Sequence, residues 1–152
     1  MTQLRTAITA LASLSVTGVA THFDVDAVPD TLSRAQLPAL LVLPVEVEED
    51  ALFIQRGSGF AAVAFSDGTR TVTYTITHLL LVAPVAAGAG LRAHLPLLID
   101  LIDEYFATLS ADATLGGLLL EPARVQVEPG TFTHDAVAYH GCAFRHTWLL
   151  AV

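Results

Sequence analysis

His22-Phe23-Asp24-Val25-Asp26 alternates imidazole and carboxylate side chains, a nitrogen-and-oxygen donor set of the kind that holds a divalent metal. No EF-hand spacing follows it, and Asp30 alone does not complete a site. The competing expectation is a solvated loop whose Asp side chains turn their own backbone, so no metal site is assigned. His134, His140 and His146 crowd the C-terminal region, where a histidine can act as a general base. His140 and His146 share a strand face but lie roughly 20 Å apart in an extended chain, too far for one metal. They are expected as half-buried strand histidines at a subunit contact.

The remaining chemical signals are weaker. Gly57-Ser58-Gly59 lacks the full Gly-x-Ser-x-Gly and its strand-to-helix setting, and is read as a turn. Leu115-Gly116-Gly117 is no phosphate loop, because the chain has no lysine to complete one. Asp100, Asp103 and Glu104 at helical spacing read as a solvated face rather than paired catalytic carboxylates. Cys142 reads as a small core residue, and Phe144 and Trp148 as core. No catalytic, cofactor-binding or metal-binding residue is assigned, no cofactor is expected, and the chain is read as a non-enzyme.

These residues must be held by elements that the pattern of apolar positions predicts. Leu4, Ala7, Ile8, Leu11 and Leu14 set a helix over residues 3–15, with Gly18 ending it. The segment from Thr21 to Pro38 is a long loop with one helical turn near Thr31–Arg34. Leu40–Leu43 is a short buried strand closed by Pro44, and the acidic stretch 45–50 is exposed. Residues 60–66 and 70–82 flank Asp67-Gly68 as a hairpin. Val72, Tyr74, Ile76, His78 and Leu80 point to one face, and Thr71, Thr73, Thr75 and Thr77 to a partly wet one.

Leu91–Leu109 is the longest helix, with a wide apolar stripe through Leu95, Leu98, Leu101, Ile102, Tyr105 and Phe106. Leu97 lies off that stripe and marks a second contact surface. Gly116-Gly117 permits a tight reversal. Residues 118–127 form a strand broken at Pro122, Glu128-Pro129-Gly130 is a turn, and residues 137–152 are the last strand. The order α-β-β-β-α-β-β predicts an α+β fold in one domain over 1–152. Its sheet is mostly antiparallel or mixed, packed on one face by two α-helices.

Composition bounds the function. The chain has 152 residues, of which 53% are hydrophobic and only 14% charged; its mean hydropathy is +0.60. Typical domains carry about 25% charged residues. The longest uncharged apolar run, 79–91, is interrupted by Pro84, Gly88 and Gly90 and falls short of the roughly 20 residues a membrane span needs. Subunit burial is the better account of the excess. The start, Arg5 followed by an Ala- and Leu-rich run, imitates a secretory signal but is read as a helix. The net charge is −8 and all basic residues are arginine, so no basic patch offers tight binding to phosphates. One cysteine excludes an internal disulfide and points to synthesis in the cytosol.

Several stretches taken in order carry a resemblance. They are the opening helix with Gly18-Val19, the lead through Leu37-Pro38-Ala39-Leu40 into the first strand, Thr73 to Leu81, Asp112-Ala113-Thr114-Leu115-Gly116-Gly117, and Tyr139 with Gly141. Over nearly its whole length the chain resembles the tail terminator and tail completion proteins of long-tailed bacteriophages. The resemblance implies a structural virion protein of the tail or neck, assembled in the host cytoplasm. It implies a self-assembled ring, typically a hexamer, that caps the head-proximal end of the tail tube and stops its polymerisation. The ring would meet the tail tube protein and the neck and connector proteins, and DNA would pass its lumen without specific binding. Another neck or head-completion component, a small pocket-bearing enzyme and a standalone interaction domain are the alternatives.

Overall fold

The structure, a computed structural model, describes residues 2–43, 59–66, 68–87 and 90–151. Helix α1 (Thr2–Ala12) is followed by strands β1 (Thr21–Phe23), β2 (Ala39–Leu43), β3 (Gly59–Ser66) and β4 (Thr69–Pro84). Then come helix α2 (Gly90–Ala111) and strands β5 (Arg124–His134) and β6 (Val137–Ala151). The fold is α+β, as expected, with one strand more than the predicted order: Thr21–Phe23, read as the start of the loop, pairs parallel with β2. The acidic stretch 45–50, Ser58 and Asp67 lie outside the described residues.

Among the described residues the sheet has six strands in the order β1-β2-β4-β6-β5, with β3 also on β4. The long β4 pairs antiparallel with β6 along one side. Its other side is shared, β3 taking residues up to Thr75 and β2 those from Thr77 on. Only β1 and β2 run parallel, so the sheet is mixed.

Both helices lie on one face. Leu4, Ala7, Ile8 and Leu11 of α1 and Leu98, Leu101, Tyr105 and Leu109 of α2 are buried against Leu40, Ile76, Leu80, Phe144, Trp148 and Leu150. The opposite face is not uniformly wet. Leu41, Leu79, Leu81, Tyr139 and Ala143 form a second core there, covered by Val28, Leu32 and Leu37 of the loop after β1. That loop therefore acts as a layer, which explains its length.

Some sequence expectations need correcting. The first helix stops at Ala12, before Gly18; Gly18 instead takes φ +88° where a Cβ would lie 2.9 Å from Leu101 Cδ2. The helical turn in the loop is a 3-10 turn at Arg34–Gln36. The segment 118–123 is not strand, and Glu128-Pro129-Gly130 is inside β5 rather than a turn. Proline is tolerated there because β5 is an edge strand, with no described neighbour on its outer side to receive an N–H. The reversal falls at Asp135 and Ala136, both with positive φ (48° and 60°), which is the backbone of a tight hairpin turn.

Candidate functional site

β4, α2 and β6 each deliver one polar side chain into the helix-covered core. His78 comes from β4, His146 from β6 and Tyr105 from α2, and all are at most 1% exposed. The Tyr105 ring lies flat on Phe144, with ring centres 3.7 Å apart and planes 6° apart. This places its hydroxyl between the two imidazoles, 2.8 Å from His78 Nδ1 and 2.7 Å from His146 Nε2. Trp148 Nε1 extends the chain to His146 Nδ1 at 3.4 Å.

The donor inventory gives this chain a direction. Indole N–H only donates, so His146 Nδ1 accepts and its proton sits on Nε2. His146 Nε2 then donates to the Tyr105 oxygen, and the Tyr105 hydroxyl donates to His78 Nδ1. The His78 proton is left on Nε2, which is buried without a partner. Burial holds His146 down to about 3, and burial together with nearby His146 and His22 holds His78 well below its ordinary value. Burial likewise pushes the Tyr105 hydroxyl well above its usual range. Burial holds all three neutral near pH 7, so the chain pins a helix to two strands.

The other predicted residues separate into distinct places. His140 is buried on β6 beside His94 of α2, ring centres 5.8 Å apart, and three of their ring nitrogens have no partner. His140 and His146 thus share a face but belong to different clusters, and both are buried inside the subunit rather than half-exposed at a contact. His134 is tied through Nε2 to the Pro29 carbonyl at 2.8 Å, joining the β5–β6 hairpin to the covering loop. Cys142 is a buried thiol pushed up to about 11.

The His22–Asp26 stretch is occupied by local bonds. His22 Nε2 accepts from the Val16 N–H at 3.3 Å, and Asp24 accepts from the Thr9 hydroxyl at 2.9 Å and the Val25 N–H. Asp26 pairs with Arg5. These bonds fasten the loop to α1 and draw the donors apart. Among the described residues no three His, Cys, Asp or Glu side chains gather as a metal site. Gly116 and Gly117 both take positive φ, and Asp112 Oδ1 accepts the Gly116 N–H at 2.8 Å, closing the exit from α2.

α2 also presents large apolar side chains at the surface. Leu95, Ile99 and Phe106 of α2 are 41%, 56% and 41% exposed, and Leu97 is exposed on another side of the helix. No helix of the described residues is long and apolar enough to cross a membrane. No protein family model matches the chain, and no curated protein matches it.

Proposed function

We propose that this chain is a ring-forming tail terminator. It caps the head-proximal end of a long-tailed phage's tail tube, stops the tube from growing and offers the surface on which the head is joined. One observation carries the reading. Among the described residues the sheet ends on opposite sides in strands without an outer partner, β5 over eleven residues and β3 over eight. Free edges on opposite margins suit a head-to-tail contact that repeats by rotation and closes as a ring. The acidic composition suits a lumen along which DNA slides without sticking.

The test is absolute mass by light scattering, with and without purified tail tube. A closed ring in solution, or a ring formed only on tube ends, is the expected result. Deleting the tip of the β3–β4 hairpin should leave the fold intact and abolish ring or tube binding. A monomer that ignores the tube would overturn the proposal.

A further inference from the structure

The outward side of α2 is apolar in a definite pattern. Leu95 and Ile99 lie one turn apart on it and are exposed, with Phe106 further along the helix edge-on to Phe144, while Ile102 between them is partly buried against the core. Leu98, Leu101, Tyr105 and Leu109 already supply the face that packs on the sheet. Leu95 and Ile99 form an outer seam that takes no part in that core, and Ile99 is more than half exposed.

Charge flanking the seam selects its occupant. Arg92 and Asp103 are both exposed, and neither has an ion-pair partner among the described residues. They are eleven residues apart, about three turns and about 16 Å along the axis, so they stand one above the other on the same margin of the seam. When two such helices cross antiparallel, equal margins meet. A crossing centred between Leu95 and Ile99 sets Leu95 of each copy against Ile99 of the other. It sets Arg92 of each copy opposite Asp103 of the other, twice. A parallel crossing would bring unlike margins together and leave Arg92 and Asp103 without each other.

We propose that the outer seam of α2 is a two-fold docking surface for a second copy of this chain, paired antiparallel and locked by reciprocal Arg92–Asp103 contacts. The contact is independent of the ring. A two-fold interface closes on two copies and leaves both sheet edges free.

Sedimentation equilibrium of the full chain and four variants tests it, with circular dichroism confirming that each folds. Ile99→Glu puts a charge in the seam and should weaken two-fold association by at least about tenfold. Arg92→Asp and Asp103→Arg each place like charges opposite one another and should weaken it by about two- to fivefold. The double variant carrying both exchanges should return to the wild-type value, because the swap restores both pairs. Association unchanged in Ile99→Glu overturns the surface, and so does a wild type with no two-fold association at any concentration. A double variant no tighter than its parents overturns the antiparallel pairing. Rings that persist in Ile99→Glu leave the terminator proposal standing. Two-fold association in a protein that ignores tail tube leaves this surface standing and removes the terminator.

Discussion

The Tyr105 hydroxyl lies 2.7 Å from His146 Nε2 and accepts its proton while donating its own to His78. One oxygen thus bridges two imidazoles on neighbouring strands and fixes α2 over the β4–β6 pair. Tyr105→Phe keeps the ring stacked on Phe144 and removes only that oxygen. It leaves His146 Nε2–H and His78 Nδ1 buried with nothing to bond, so the variant should lose about 1–3 kcal/mol. Urea unfolding of the two proteins measures it. A loss within error would mean that the hydrogen bonds contribute nothing beyond packing.

The same burial predicts an acid-labile fold. His78 and His146 bind a proton more weakly in the folded chain than in the unfolded one, where the ordinary value is about 6.5. Their stabilising contribution is complete above about pH 6.5. It drains as pH falls through the window that ends, for His146, at about 3. Each group contributes a slope of about 1.4 kcal/mol per pH unit inside its window. Urea midpoints should stay level from pH 7.5 to about 6.5 and fall steadily from there to about 4.5, and His146→Phe should flatten part of the decline. A flat profile for the wild type would show that these imidazoles are not held neutral.

Gly130 and Gly141 face each other across β5 and β6, but only one of them lacks room. A Cβ on Gly141 would sit 2.0 Å from the Leu80 carbonyl oxygen, which belongs to the β4 backbone and cannot swing away. A Cβ on Gly130 would meet nothing closer than the Phe132 ring at 4.0 Å. Gly141→Ala should therefore cost at least about 3 kcal/mol or prevent folding, while Gly130→Ala stays within about 1 kcal/mol. Thermal melts of the pair decide it. Equal effects would mean that β4 and β6 adjust freely at the irregularity between Leu81 and Ala83.

These effects divide along a line visible in the sequence. Period-two alternation in Val72–Leu80 and period-3.6 spacing from Leu95 to Leu109 are properties of one segment, so both elements were legible; the stripe on α2 was drawn too wide, since Leu95 and Phe106 are 41% exposed. The Glu128-Pro129-Gly130 turn was misplaced because local chemistry says turn while pairing with β6 says strand, and tertiary pairing won. Asp135-Ala136 escaped notice because the turn lacks the glycine that usually marks it. The polar chain was half-legible: His78 and His146 on apolar strand faces and Tyr105 in an apolar helix stripe are the signal. Their meeting depends on how α2 crosses the sheet, which no spacing within a segment encodes.

The His22–Asp26 stretch offers a sharp contrast between ligand and fastener. If Asp24 serves as a hydrogen-bond acceptor for Thr9 and its own loop, the carboxylate charge matters little and the acceptor oxygen matters more. Asp24→Asn keeps one acceptor oxygen and should change stability by less than about 0.5 kcal/mol, while Asp24→Ala loses the tie to α1 and should cost about 1 kcal/mol. The melting temperature of the wild type should also be indifferent to added zinc or calcium and to a chelator. Thermal melts of the three proteins, each with metal and with chelator, separate the two roles. A metal-dependent rise in the wild type that vanishes in Asp24→Asn would make the carboxylate a ligand and overturn its assignment as a loop fastener.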